Sequence, residues 1–81
     1  MQIIVIFSSL FRALAGTEQD VLDVAEGTTV TRLAIILGQK YQDIPVESKN
    51  TYFIVNDQPS TRDQVLAEGD KVRIFQLLAG G

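Results

Sequence analysis

Apolar residues recur along this chain with two periods, and each period predicts a different kind of element. Four runs rich in β-branched and aromatic residues predict β-strands at 2–8, 19–24, 51–56 and 71–78. Between the second and third runs, apolar residues return every three or four positions, which is the period of one helical face. The residues of that face are Val30, Leu33, Ala34, Leu37 and Tyr41. The pattern therefore predicts four strands and one amphipathic helix.

Residues at the ends of these runs predict where the helices begin and end. Thr29 comes just before the apolar face and is a typical N-cap residue. Gly38 costs about 1 kcal/mol inside a helix, so we expect the helix to fray or stop there. A shorter helical segment at 9–16 closes on Gly16, a residue that often ends helices. Segment 58–69 shows neither period and is expected to be irregular.

The order of these elements predicts an α+β fold. A turn-like link makes the first two strands an antiparallel pair, and a crossover through the helix brings a later strand back beside the first. We expect an α+β roll, in which a mixed sheet of four to five strands carries one main helix on one face. No linker, repeat or change of composition divides the chain, so 1–78 is predicted to be one domain and 79–81 a flexible tail.

Alternation in the last strand predicts which of its residues face the helix. Val72 and Ile74 are expected on the helix side, and Phe75 on the opposite, solvent side. Leu77 and Leu78 follow as the chain leaves the sheet. An exposed phenylalanine beside two leucines indicates a docking patch for another protein. The alternatives are that a leucine folds back onto the core or that a neighbouring loop covers the phenylalanine.

The composition argues against several functional classes. The 81 residues include no histidine and no cysteine, which removes the commonest general base, the thiol nucleophile and the commonest metal ligands. The seven basic residues form no stripe, so no nucleic-acid partner is expected. No apolar run is long enough to cross a bilayer, and none resembles a signal peptide, so we predict a cytoplasmic protein with no membrane partner. Because histidine and cysteine are absent, we also expect no metal site. The net charge of −3 suits a partner with a basic docking face. Two pairs of acidic residues, Asp20 with Asp23 and Asp63 with Glu68, are expected to be solvated surface charges rather than catalytic dyads.

The chain closes on Gly80 and Gly81. Because glycine has no Cβ, such a tail can enter a slot that admits only backbone. Its terminal carboxylate is a latent acyl group, which ATP would convert to an acyl-adenylate that a thiol or persulfide can attack. The chain has no phosphate-binding G-x-x-x-x-G-K loop for this step. We therefore predict that the chain is the substrate of the chemistry and not, by itself, an enzyme.

Four segments resemble the ubiquitin-like sulfur carriers, the MoaD and ThiS proteins. "LFRALAG" (10–16) is similar to the segment after the first strand of MoaD, the small subunit of molybdopterin synthase. "TTVTRL" (28–33) resembles the helix start common to both branches, and "IVND" (54–57) resembles their "VN" turn. "EGDKVRIFQLLAGG" (68–81) resembles the family's "GD-x-V…GG" ending, which is the most specific of the four.

The resemblance implies a β-grasp, or ubiquitin-like, fold and a sulfur-carrying function. Gly81 would be adenylated by a ubiquitin-activating-type adenylyltransferase that uses ATP, and would then receive sulfur from a donor protein as a thiocarboxylate. The carrier itself would bind no cofactor. Its acceptor would be the large subunit of molybdopterin synthase or a thiazole synthase. The residues implied at the partner interface are Phe75, Leu77, Leu78, Ala79 and Gly80.

The body of the chain resembles MoaD and its tail resembles ThiS. MoaD proteins often carry "PPV" where this chain has "QLL" (76–78), whereas ThiS proteins usually lack the "LFRALAG" segment. We favour the molybdopterin role because more residues support it. The alternatives are a ThiS-type carrier for thiamine thiazole, a modifier joined to lysines through Gly81, and a ubiquitin-like module whose tail has no function. An acyl carrier would need a "DSL" serine, which this chain lacks.

Overall fold

The computed structural model describes residues 1–8 and 10–77 of the chain. These residues form five strands and two helices around one hydrophobic core. In chain order the elements are β1 (Gln2–Phe7), α1 (Leu10–Ala15), β2 (Gln19–Asp23), α2 (Val30–Lys40), β3 (Thr51–Val55), β4 (Gln58–Pro59) and β5 (Lys71–Gln76).

The five strands make one mixed sheet in the order β2-β1-β5-β3-β4. β1 pairs antiparallel with β2 and parallel with β5, while β3 pairs antiparallel with both β5 and β4. The predicted antiparallel first pair and the return of a later strand beside β1 are both present. The fold is the predicted β-grasp roll, with the main helix α2 on one face of a mixed five-stranded sheet.

Helix α2 covers one face of the sheet through the predicted apolar face. Val30, Leu33, Ala34 and Leu37 are fully buried, against strand residues that are also fully buried, namely Ile3, Val5, Val72 and Ile74. Thr29 caps the helix as predicted, because its Oγ1 accepts a hydrogen bond of 3.2 Å from the backbone N–H of Arg32. These contacts place the core between α2 and one side of the sheet.

The expectation that α2 frays or stops at Gly38 is wrong, since the helix continues to Lys40 with Tyr41 as its C-cap. The neighbouring loop gives the reason for a glycine here. A Cβ at position 38 would lie 3.0 Å from the Cγ2 of Val46, a buried residue of that loop. The cost of glycine in the helix is therefore accepted where the loop packs closely against it.

Two strand predictions also need correction. Segment 58–69 was expected to be irregular, yet β4 lies within it. Asn56 and Asp57 have positive φ values of 51° and 65°, which form a two-residue hairpin turn from β3 into β4. The last strand was predicted to reach residue 78, but β5 ends at Gln76. The division into a domain at 1–78 and a tail at 79–81 stays a prediction, since 78–81 lie outside the described residues.

Candidate functional site

The side of the sheet that faces away from α2 is the candidate site, and we call it the open face. Successive residues of a strand point to opposite sides of the sheet. The strand residues that alternate with the buried ones therefore lie on the open face. Four of its apolar side chains, Ile4, Ile6, Ile54 and Phe75, are only partly exposed, whereas Val21 and Tyr52 are exposed. The open face includes Ile4, Ile6, Val21, Asp23, Tyr52, Ile54, Lys71, Arg73 and Phe75.

Phe75 lies on the open face, as the alternation in the last strand predicted. It is paired in register with Tyr52 of β3, and the two rings stack with centroids 5.9 Å apart and planes at 29°. Tyr52 leaves 43% of its surface exposed, whereas Phe75 is half-buried. A side chain of the neighbouring strand therefore covers part of the phenylalanine. The pair forms an exposed aromatic surface near the end of β5, and a role for it in partner binding stays a prediction.

Leu77 follows directly on β5 and is 54% exposed. Its backbone N–H donates a hydrogen bond of 3.0 Å to the carbonyl oxygen of Asn50. The backbone is thus held to the neighbouring loop while the side chain faces solvent, so this leucine does not fold back onto the core. The other predicted site residues, Leu78, Ala79, Gly80 and Gly81, lie outside the described residues.

The predicted surface carboxylates behave differently from one another. The side chain of Asp23 is 86% exposed, whereas that of Asp20 is only 20% exposed and accepts hydrogen bonds from two side chains. The Nζ of Lys40 lies 2.6 Å from its Oδ2, and the hydroxyl of Tyr41 donates to the same oxygen at 2.5 Å. The expectation of a solvated charge is therefore wrong for Asp20, which fastens β2 to the end of α2. Because Asp20 and Asp23 project from opposite sides of β2, they form no dyad.

The electrostatics of that cluster have structural causes. Hydrogen bonds from Lys40 and then from Tyr41 lower the pKa of Asp20. Burial, followed by the hydrogen bond to Asp20, raises the pKa of Tyr41 to about 12. Each shift favours the protonation state that keeps the cluster intact. Asp63 is fully exposed, and its pKa is lowered by a hydrogen bond from the Thr61 hydroxyl. Neither cluster lies on the open face.

The open face is therefore suited to binding another surface. Its charged groups include Lys71 and Arg73, set among isoleucines and the aromatic pair, and the carboxylate of Asp23 on β2. Within residues 1–8 and 10–77, no three potential ligand side chains come together to hold a metal ion. In the same ranges, neither helix is long and apolar enough to cross a membrane. Reasoning from the sequence missed Tyr52 and Arg73, because their neighbours are set by strand register.

Solved structures of the same size share this fold. A Pyrococcus furiosus protein described as molybdopterin converting factor subunit 1 is 20% identical, covers 96% of this chain and 99% of its own, and has a TM-score of 0.86. Small archaeal modifier protein 1 of Haloferax volcanii is 14% identical with a TM-score of 0.85, over 95% of this chain and 98% of its own. Urm1 of Trypanosoma brucei is 25% identical with a TM-score of 0.77, over 99% of this chain and 95% of its own. None of the curated proteins compared with this sequence matches it.

These neighbours and the mixed sheet define a small ubiquitin-like protein of the β-grasp class. The model of the ThiS family matches residues 5–81, and the chain therefore belongs to the ThiS family. The resemblance to ubiquitin-like sulfur carriers drawn from the sequence is confirmed by this match. Small carriers of this kind are generally not catalytic and work with activating enzymes and synthase partners.

Proposed function

We propose that this chain is a sulfur carrier for molybdopterin synthesis, the pathway of the molybdenum or tungsten cofactor. The observation that carries the proposal is the family match, which runs through to Gly81 and so includes the glycine ending. The helix α1, formed by the "LFRALAG" segment, and the fold shared with the Pyrococcus furiosus protein support a MoaD-type role. In this proposal the carrier works in the cytoplasm, where ATP and the synthase are available.

The proposed chemistry takes place at the carboxylate of Gly81. A carboxylate oxygen attacks the α-phosphorus of ATP on a ubiquitin-activating-type adenylyltransferase, which releases pyrophosphate and leaves an acyl-adenylate. A persulfide of the sulfur donor protein attacks the carbonyl carbon, and AMP leaves. A thiol then cleaves the sulfur–sulfur bond and is oxidised to a disulfide, so Gly81 keeps a thiocarboxylate. The carrier brings no catalytic group to these steps, which its partners supply.

The geometry supports delivery of the tail into a partner. β5 lies in the middle of the sheet, between β1 and β3, so Leu77 leaves from beside the aromatic pair of the open face. The four residues after Leu77 can span at most about 14 Å. A partner that takes Gly81 into its active site must therefore approach the end of the sheet where Leu77 is exposed. Ala79 and Gly80 would line the slot, and Phe75, Leu77 and Leu78 would contact the partner around it.

Two alternative functions share the adenylation of Gly81 and differ in the acceptor of the activated acyl group or its sulfur. The similarity to small archaeal modifier protein 1 and to Urm1 favours a modifier joined to target lysines through Gly81. A ThiS-type carrier that supplies thiazole synthase is favoured by the "QLLAGG" ending (76–81). All three functions require the same adenylated glycine, so the fate of the acyl group discriminates among them.

The experiment is an intact mass of the protein from its native cell, followed by alkylation selective for thiocarboxylates. Replacing one terminal oxygen by sulfur adds nearly the same mass as oxidation of Met1 to its sulfoxide, so alkylation is needed to place the change. An alkylated C-terminal peptide is the expected result. A mass change confined to Met1, with an unreactive tail, contradicts the carrier function, and isopeptide-linked conjugates in the same lysate would favour the modifier.

Two variants test the role of the tail in the cell. Deletion of Gly81, or addition of one residue after it, is expected to abolish molybdopterin formation and to leave the melting temperature unchanged. The physical reason is that position 81 lies seven positions beyond Ile74, the last buried residue in the part of the chain that the structure describes. Normal molybdopterin formation by either variant would refute the proposal. Loss of thiamine with normal molybdopterin would assign the chain to the thiazole pathway instead.

A further inference from the structure

The two edges of the sheet are built differently. β4, at one edge, is only two residues long and contains Pro59, so it offers little backbone for pairing. β2, at the other edge, has five residues with neither proline nor lysine, and its only strand neighbour among the described residues is β1. Natural edge strands are usually short or protected by such residues, because an unprotected edge pairs with another chain. β2 is therefore the edge of this sheet to which a further strand can be added.

The backbone of β2 presents a row of hydrogen-bonding groups away from the sheet. The carbonyl oxygen of Glu18 accepts a hydrogen bond of 2.9 Å from the N–H of Phe7, so the backbone groups of Glu18 point toward β1. Backbone groups alternate in direction along an antiparallel strand, so those of Gln19, Val21 and Asp23 point outward. We call this outward row the β2 edge.

Few contacts within the described residues involve the β2 edge. The hydroxyl of Thr17 donates a hydrogen bond of 3.0 Å to the carbonyl oxygen of Gln19, which has a second lone pair for another donor. The hydrogen bond from Lys40 is the largest cause of the lowered pKa of Asp20, and that from the N–H of Val21 is the smallest. This N–H is therefore held only weakly, and the row can pair with a partner strand.

The side chains of β2 on the open face fit a second copy of the same strand. Two antiparallel copies centred on Val21 place the two valines against each other and place Gln19 against Asp23 at either end. Val21 is 50% exposed, so the central contact is apolar. The amide group of Gln19 can donate a hydrogen bond to the carboxylate of Asp23. The strand is therefore complementary to itself in this register.

The side of β2 that faces α2 is compatible with the same register. Asp20 stands against Leu22 of the second copy, so no carboxylate lies directly opposite another. The two Asp20 carboxylates are diagonal neighbours, but each has the Nζ of Lys40 in its own copy at 2.6 Å. These ion pairs offset the repulsion between the two carboxylates.

We propose that the β2 edge is a docking site for a second copy of this chain, in which the two β2 strands pair antiparallel about Val21 and join the two five-stranded sheets into one. The paired residues exchange main-chain hydrogen bonds, about six in all. The interface is a single strand pair, so it belongs to the weak class that buries less than about 1,200 Å². We expect a dissociation constant on the order of 0.1 mM.

Such a dimer keeps the ends of the two β5 strands apart. β5 runs antiparallel to β2, because it is parallel to β1. The twofold axis therefore points the two copies of β5 in opposite directions, and Leu77 of each copy lies at its own end of the joined sheet. Five strand spacings, about 24 Å, separate the two copies of β5. Each copy can then present Gly81 to its own partner, and the pairing itself does not depend on the sulfur chemistry.

Sedimentation equilibrium measures the association at concentrations from about 10 µM to about 1 mM, which bracket the expected dissociation constant. The mass of the wild type should rise from the 8.9 kDa of one chain toward twice that value. V21K should weaken the dimer at least about tenfold, because it sets two ammonium groups against each other at the centre of the strand pair. In a mixture of isotopically labelled and unlabelled wild type, NMR should detect contacts from Gln19 of one copy to Asp23 of the other.

V65K is the matched control. Val65 is 60% exposed and lies outside β2, and its replacement adds the same charge, so V65K should associate as the wild type does. Circular dichroism checks that both variants are folded. A wild type that stays at the mass of one chain at about 1 mM would overturn the proposal, as would an equal loss of association in both variants or none in V21K. The NMR contacts decide the matter without either variant, since a dimer that lacks them uses another surface.

Discussion

The hydroxyl of Tyr41 offers a clean test of what fastens α2 to the sheet. It donates to Asp20 at 2.5 Å, while the ring packs edge-on against Phe7 with centroids 5.0 Å apart. Tyr41→Phe removes the donor and keeps the ring. Asp20 keeps its ion pair with Lys40, so the change deletes one hydrogen bond and leaves no unpaired carboxylate.

The expected cost follows from the nature of that bond. Hydrogen bonds to charged groups contribute about 1.5–3 kcal/mol to stability. Both partners are half-buried, and the carboxylate remains paired with Lys40. We therefore expect Tyr41→Phe to lower the free energy of unfolding by an amount at the lower end of this range, about 1.5 kcal/mol. For a domain of this size, each 1 kcal/mol shifts the melting temperature by about 4–8 °C, which gives a fall of about 6–12 °C.

The pKa shifts of Tyr41 and Asp20 predict how the stability difference between wild type and Tyr41→Phe changes with pH. The pKa of Tyr41 rises from its ordinary value of 10.0 to about 12 on folding, so its contribution is complete below pH 10 and is lost as the pH rises toward 12. The pKa of Asp20 is lowered on folding from an ordinary value of 3.8. Its contribution is therefore present above that value and is lost as the pH falls through the lower, folded pKa. The stability gap between wild type and Tyr41→Phe should be constant from about pH 5 to about pH 9 and should narrow on either side.

Urea denaturation followed by circular dichroism measures this gap across the pH range. Tyr52→Phe is the matched control, because no hydrogen bond of its hydroxyl is found among the described residues and its ring stacks on Phe75. We expect the control to stay within about 0.5 kcal/mol of wild type. If Tyr41→Phe costs no more than Tyr52→Phe, the reasoning about the cluster is wrong. A gap that widens above pH 10 would refute the assigned direction of the tyrosine shift.

Two further predictions concern helix α2. Leu33→Ala removes a fully buried side chain and should cost about 2–5 kcal/mol in urea denaturation; an unchanged melting temperature would mean that this helix face does not pack on the sheet. Arg32→Glu should stabilise the protein by about 0.5–1 kcal/mol, because a glutamate three residues after the Thr29 cap completes a capping box and suits the positive end of the helix. A lower melting temperature for Arg32→Glu would contradict the cap geometry.

Much of the fold could be predicted from local patterns. The buried face of α2, the Thr29 cap and the glycine end of α1 each depend on residues only a few positions apart, so periodicity and capping rules identify them. Strand β4 could not be found in this way. It is two residues long, contains a proline and is defined by pairing with β3 across a tight turn. The same limit applies to Gly38. The reason for a glycine inside this helix is the close approach of Val46 in the following loop, which the helix pattern does not reveal.

The sequence by itself determined which side chains of each strand share a face, since alternation is a property of the backbone alone. It therefore placed Phe75 opposite the core, and it placed two glycines at the end of the chain, from which the carrier chemistry was inferred. Only the tertiary structure decided which strands lie side by side and in which register. That register sets Arg73 between Ile6 and Ile54 and sets Phe75 against Tyr52. Residues that are far apart in the chain become neighbours through hydrogen bonds between strands and burial against a common helix, and neither can be found in a local window of sequence.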